Sequence, residues 1–239
     1  MKRKIIIIIL FPIFFISCAT SSNATFSSWY NPWIDINTLH DVITLKEGQE
    51  PKIIRSNNID DDFFEILSNH YFCIGDTSFN GPDEDHTDAI KKQCKQNGAI
   101  VALYGKRYTD TRSGVTSYGK NISSYNIRRY DFIISYFIPL PSNYEYRLFF
   151  GIDGWDLTEF NLRQEAGRNT GVYVNVVYKD TPAFYANILR GDVIISINGN
   201  NINNTKDFYS ILSSVNAKEK LNIEYIRKNQ KYKTKIELH

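Results

Sequence analysis

The stretch LRGDVIISINGNNI, Leu189 to Ile202, sets an apolar run, Val193 to Ile197, between Gly191-Asp192 and Asn198-Gly199. Asn and Gly tolerate positive φ and close tight hairpin turns, so Asn198-Gly199 ends the run as firmly as Gly191-Asp192 begins it. A run this short and closed on both sides reads as a buried strand, not part of a helix. Upstream, Gly171 to Tyr178 is a β-rich strand, and Thr181-Pro182 opens a short helix. A hydroxyl residue can cap that helix, and proline at the first helical position gives up no hydrogen bond. Downstream, Phe208, Ile211, Leu212 and Val215 recur at helical spacing and predict a helix from about Thr205 to Ser214. Leu221, Ile223 and Tyr225 alternate, as do Tyr232, Thr234, Ile236 and Leu238. With Lys228-Asn229-Gln230 as the connection, these form a closing hairpin.

A strand held between two turns, then a helix, then a closing hairpin is the order of a PDZ domain, and the residues resemble that family. The likeness is strongest to the PDZ modules of envelope proteases of the high-temperature-requirement type. Gly171-Val172-Tyr173-Val174 resembles the family's Gly-Val-x-Val strand, Thr181-Pro182-Ala183 its Ser-Pro-Ala, and Gly191-Asp192-Val193-Ile194 its Gly-Asp-Ile-Ile. Ile197-Asn198-Gly199 with Ile202 is similar to its Ile-Asn-Gly-x-x-Ile/Val. One departure falls at Asn187, where the family usually has glycine; asparagine is the next best residue for φ > 0. The resemblance implies a domain over residues 145–239 that adds an extended peptide to a sheet edge and holds its C-terminal carboxylate with backbone N–H groups. The family's carboxylate loop is apolar-Gly-apolar, which Phe150-Gly151-Ile152 fits, with Gly154 and Leu157 continuing the spacing. The opposing wall falls to the second helix, where Phe208 and Leu212 are assigned to the core and Asp207 and Ile211 to the groove. Phe150, Ile152 and Ile211 would then line an apolar pocket. Asp207 is either an acceptor for the peptide or a first-turn residue stabilised by the helix dipole.

Ahead of this lies a second pattern, residues 46–142. Asp60, Asp61 and Asp62 lead into Phe63, Phe64, Ile66 and Leu67, a helix with acid at its positive end. Tyr71 to Ile74 reads as a strand closed by Gly75-Asp76. An acidic loop, Gly81 to Asp88, precedes a helix carrying Ala89, Ile90, Cys94 and Asn97, stopped by Gly98. Ala99 to Tyr104 and Tyr130 to Ile138 are further strands, and the polar stretch between them, Tyr108 to Asn126, is expected as a long hairpin loop. A weaker strand is expected around Val42 to Leu45. This order describes a small α/β domain with a helix-covered sheet. From Phe63 to Pro139 it is similar to a module of many uncharacterised bacterial lipoproteins, which implies an envelope domain and no activity. The fold class is therefore α+β.

The first residues, MKRKIIIIILFPIFFISCAT, place Lys2, Arg3 and Lys4 before an apolar segment, Ile5 to Ile16, and then Ser17-Cys18-Ala19. That is the order of a secretory signal over residues 1–17, and it is short for a bilayer span; the alternative is a short N-terminal membrane anchor. Phe15-Ile16-Ser17-Cys18 resembles the bacterial lipobox, with Phe15 where the pattern prefers leucine. It implies acylation of Cys18, palmitate included, on a tether of residues 18–45. Each buried methylene of such chains adds about 0.8 kcal/mol of membrane affinity. Without its leader the chain loses three of its 28 basic residues and keeps all 26 acidic ones, a net charge of −1. That balance leaves no electrostatic footprint for nucleic acid. Cys73 and Cys94 are either a disulfide, which an exported setting permits, or two buried thiols.

Catalysis finds little support. The histidines are His40, His70, His86 and His239, and no serine sits in a Gly-x-Ser-x-Gly setting. No His-Glu-x-x-His motif occurs, and His86 with Asp83, Glu84, Asp85 and Asp88 matches no calcium loop, so neither metal nor cofactor is expected. Nothing ahead of residue 145 resembles the double-barrel protease domain that the PDZ-bearing proteases carry. The expectation is a non-catalytic, lipid-anchored protein of the bacterial cell envelope, facing the periplasm or exterior, that binds peptide or protein C-termini. The alternatives are a scaffold with a self-filled groove, or an enzyme whose site lies in the middle domain.

Overall fold

Strict alternation in Val101–Tyr104 decides how the first sheet is covered. Val101 and Leu103 pack with Phe63 and Ile66 of α1 (Ile59–Ser68) on one face. Ala102 and Tyr104 pack with Ile90 and Cys94 of α2 (Thr87–Asn97) on the other, as the two-residue period of a strand requires. The computed structural model describes residues 26–118, 121–158, 163–164 and 166–238. The expected leader and Cys18 lie outside the described residues. Among them no helix is long and apolar enough to cross a membrane.

The first sheet holds β1 (Tyr30–Pro32), β2 (Lys52–Ser56), β3 (Tyr71–Pro82), β4 (Val101–Tyr118) and β5 (Asn121–Pro139), in the order β1-β3-β5-β4-β2. Only β2 and β4 run parallel; the other pairs are antiparallel. Phe132, Ile134, Tyr136 and Ile138 of β5 all face α2 and are fully buried. α1 starts on Asp60, Asp61 and Asp62, as expected from their charge. α2 ends on Gly98 at φ +78°, the left-handed cap glycine allows.

Several expectations are corrected here. Gly75-Asp76 does not close a strand: β3 continues to Pro82 through a bulge between Cys73 and Gly75. Val42–Leu45 forms no strand, although the Leu45 N–H donates to Gly98 O at 2.9 Å. Tyr108–Asn126 is not a loop but a β-ribbon that prolongs β4 and β5 past the rest of the sheet, paired from Tyr108↔Tyr130 to Tyr118↔Asn121. Its Ser and Thr residues satisfy the ladder as readily as apolar ones would, so polarity concealed the strands. Cys73 and Cys94 are separate buried thiols, and burial pushes each up to about 12. Asp83 pairs with Lys106. Asp85 pairs with Arg55 and accepts from Thr87 N–H, the solvated helix-start role its position suggests.

Buried Asp76 ties β1 down, accepting from Trp33 Nε1 at 2.6 Å and Asn31 Nδ2 at 3.1 Å. Burial raises its carboxyl above the ordinary 3.8 against those two hydrogen bonds. A carboxyl raised on folding binds more protons in the native than in the unfolded state. Its contribution to stability therefore falls as pH rises from 3.8 through the folded value. Asp76→Asn keeps an acceptor oxygen and removes the charge. Melting curves of the two forms should converge at low pH and separate, with the variant the more stable, towards neutrality.

The second sheet holds β6 (Ile152–Asp156), β7 (Val172–Val177), β8 (Val193–Ile197), β10 (Lys220–Arg227) and β11 (Gln230–Glu237), in the order β11-β10-β8-β7-β6. The two-residue strand β9 (Asn200–Asn201) pairs with β8. Helices α3 (Tyr146–Phe150), α4 (Pro182–Tyr185) and α5 (Thr205–Leu212) complete it. Asn198 and Gly199, at φ +50° and +82°, turn β8 into β9, and Lys228 and Asn229, at +51° and +62°, turn β10 into β11. Asn187 takes φ +58°, as expected of a glycine substitute. Ile194 and Ile197 of the central strand pack with Phe208, Leu212, Ile223 and Ile236 in one core.

The two units touch through the segment after β7. Lys179 N–H donates to Ser68 O at 2.9 Å, and His70 Nε2 donates to Lys179 O at 2.8 Å. Lys179 also pairs with Glu65, and the Arg190 guanidinium lies 3.4 Å over the Phe64 ring.

Candidate functional site

β6 ends its sheet, so its outer edge carries backbone groups that no described strand pairs. α5 runs beside that edge. Asn204 caps α5 by accepting from Asp207 N–H at 2.9 Å, and Asp156 of β6 accepts from Thr205 N–H at 2.6 Å. This second bond clamps the helix start to the strand. A cleft between an open β-edge and a helix is thereby fixed at one end.

Helical geometry decides which side chains face it. Phe208 and Leu212 point into the core. At 100° per residue, Thr205 and Tyr209 fall on one flank of that stripe and Asp207 and Ile211 on the other. Thr205 is bound to β6, and the Tyr209 phenol lies within electrostatic reach of Asp153 on β6, so the Thr205–Tyr209 flank faces the cleft. The expected assignment of Asp207 and Ile211 to the groove is corrected. Asp207 accepts from Asn203 N–H and Nδ2 at 3.0 and 3.1 Å, a local capping role, and Ile211, which like Tyr209 packs partly buried against the main core, lies on the flank away from Thr205. Hydrophobicity misled here: Ile211 looked like a pocket residue, while Tyr209 has the angular position.

Phe150, Gly151 and Ile152 do lie at the cleft's other end, where α3 turns into β6. Phe150 and Ile152 are core side chains, Phe150 meeting the Phe208 ring edge-on at 5.1 Å. They build the wall without lining an open pocket. Gly151 is at φ +106°, and its N–H donates to Arg147 O at 2.8 Å as the last turn of α3 closes. Its carbonyl accepts from Tyr178 N–H at 2.9 Å.

Four residues that sequence reasoning missed cluster at this end: Tyr146, Arg147, Asp153 and Tyr209. Arg147 Nη1 is 3.1 Å from Asp153 Oδ1, with both side chains largely enclosed. Burial raises the Asp153 carboxyl more than the Arg147 charge lowers it. Burial also pushes the neighbouring Tyr178 phenol up to about 12. Arg147 keeps its Nε–H buried without a partner among the described residues, and its guanidinium lies 4.7 Å from the Tyr144 ring. Tyr146 meets Tyr209 edge-on at 5.3 Å, one aromatic from α3 and one from α5. The signal in the sequence was YEYR immediately ahead of Leu148, a cation among aromatics just before the expected loop.

A separate cavity of about 570 Å³ lies in the first unit, lined by Tyr30, Trp33, Ile74, Gln93, Gln96 and Asn97 among others. Among the described residues no group of acidic, histidine and cysteine side chains is placed to hold a metal ion.

Residues 151–238 match the family described as PDZ domain. No curated protein matches the chain. Among solved structures, the HtrA3 PDZ domain bound to a phage-derived ligand (FGRWV) is 24% identical over 38% of this chain and 84% of its own, with a TM-score of 0.34. The HtrA-type protease AlgW with a tripeptide is 21% identical over 44% of this chain and 39% of its own, TM-score 0.35. The same protease with a decapeptide gives 19%, 53% and 41%, TM-score 0.33. The chain thus spans about two fifths of the protease, and the family match carries the assignment of residues 151–238.

Proposed function

We propose that the PDZ domain of residues 151–238 binds the C-terminal segment of a peptide or protein as an added strand on β6, in a non-catalytic protein held by lipid to a bacterial envelope membrane. Peptide or protein binding is what a PDZ domain does, and the open edge of β6 beside α5 is the observation that carries the reading here. The peptide lies between β6 and the Thr205–Tyr209 flank. Its carboxylate sits where α3 meets β6, near Gly151 and the unpartnered Nε–H of Arg147. A cation with a donor to spare favours a terminal carboxylate by a charge-assisted hydrogen bond. That the solved HtrA3 domain and AlgW hold peptides accords with this reading.

Two observations favour the second reading, a groove filled by its own chain. Tyr146 rests on Tyr209, and Gly151 N–H is spent on Arg147 O. Under the proposed function, the last turn of α3 must open for backbone capture, and Tyr146 acts as a gate. Fluorescence-polarisation binding of a pentapeptide library with apolar last residues, each peptide free and amidated, separates the two. Amidation should weaken binding about tenfold or more, the range of a lost charge-assisted bond, and Arg147→Gln should do likewise. Tyr146→Ala should tighten binding. Equal affinity for free and amidated peptides would remove the carboxylate site, and no binding even by Tyr146→Ala would favour the self-filled groove.

A further inference from the structure

We infer that the ribbon formed by the ends of β4 and β5 is a membrane-touching arm, whose tip enters the interface of an anionic bilayer. The inference rests on the lipid-anchored reading above. β3 last pairs with β5 at Pro82↔Arg129, opposite Asp110 of β4, and beyond that point the ribbon is two strands alone. Two strands without a covering layer are marginal in water, so a surface that receives them is expected. Three side chains near the tip are apolar or aromatic and bare: Tyr118 is 91% exposed, Ile122 77% and Val115 68%. Arg112 and Arg128 stand behind them, while Asp110 is the sole acidic residue between Arg107 and Arg129. Apolar and aromatic tips backed by cations suit the acyl–headgroup boundary of an anionic leaflet.

The first described residues lie on the same side as the ribbon's root. β1 runs antiparallel to β3, Pro32 opposite Gly75 and Tyr30 opposite Thr77. Followed backwards, the chain reaches Phe26, whose ring lies 5.6 Å from that of Phe79, close to the root of the ribbon. Eight residue-to-residue steps lead from Cys18 to Phe26, a contour of at most about 26–29 Å. The ribbon from Asp110 to Tyr118 advances eight residues at about 3.3 Å each, about 26 Å. The chain between Phe26 and Cys18 is therefore long enough to match the length of the ribbon.

The test uses membrane-extracted full-length protein reconstituted in vesicles of phosphatidylglycerol and phosphatidylcholine, its lipidation first read by intact mass. A polarity-sensitive fluorophore is placed on Ile122→Cys, with Thr111→Cys at the ribbon's root as control; Cys73 and Cys94 are buried and do not compete. The tip label should shift to the blue and be quenched by bilayer-embedded quenchers at least about threefold more than the root label, as interfacial burial requires. It should return to water when Val115→Ser and Tyr118→Ser are combined, or when phosphatidylglycerol is omitted. A lipidated protein whose tip label stays in water overturns the arm alone. An unlipidated protein whose tip label still enters overturns the anchor alone. Cross-linking of Ile122→Cys between copies without any blue shift would assign the arm to a second copy, and also overturns the inference.

Discussion

Asp192→Ala is expected to destabilise the PDZ domain by about 2–4 kcal/mol, read from the midpoint of its urea transition. Asp192 is 1% exposed, and its two oxygens accept from Arg227 Nε and Nη2, both at 2.7 Å. Oδ2 also accepts from Leu189 N–H at 2.8 Å, and Arg227 Nη2 reaches Asn187 O at 2.8 Å. One carboxylate thus fixes the turn before the central strand, the turn at Asn187 through Arg227, and the neighbouring strand β10. Removing it leaves a largely enclosed guanidinium without its counter-charge, held only by Asn187 O, and the Leu189 N–H without its acceptor, which costs more than the pair contributes. Solvent reaches part of Arg227, so the value lies below the full penalty of a wholly buried pair. Asp192→Asn retains an oxygen for Leu189 and should cost less. Equal, negligible losses in both variants would mean that the Gly-Asp turn holds without its side chain.

Gly151→Ala should cost a similar amount, about 2–4 kcal/mol, and should abolish peptide binding as well. At φ +106° an L side chain is strained wherever it points. Here it has no room either: a Cβ would overlap Thr181 Oγ1 and come within 2.5 Å of Thr181 Cβ. Thr181→Ala removes the overlap with Oγ1 but leaves the 2.5 Å approach to Cβ and the strain. The double variant should recover part of the stability, by the amount the clash contributes. Full recovery would show that φ at this position is relaxed and that the turn from α3 into β6 is not set by glycine.

The C-terminal domain was legible because its turns use residues with one physical meaning. Asn198-Gly199, Gly191-Asp192 and Thr181-Pro182 each leave few backbone choices, so strand and helix limits followed from them. The site was less legible. Phe150-Gly151-Ile152 marks the place of the loop. Nothing local shows that Gly151 N–H is taken by Arg147 O, or that Tyr146 reaches Tyr209 across the chain. On α5 the error came from preferring apolar Ile211 over angular position. In the first unit, β1, β2 and the ribbon were missed for a shared reason. β1 has three residues with a proline, β2 is short, and the ribbon carries Ser, Thr and Asn on both faces, so none shows a hydrophobic period.

β5 is central in the first sheet yet the last of its strands in the chain. While the ribosome is still making it, β3 has only three residues of β1 to pair with, and β2 and β4 have each other. The rings of Phe132, Tyr136 and Phe137 that fill both cores are also still to come. The unit therefore closes only after residue 139 has emerged, and the β3–β5 pairs that close it span a long stretch of chain. If the proposed leader directs export, this strand order acts as a timer: the first unit stays threadable until β5 has followed.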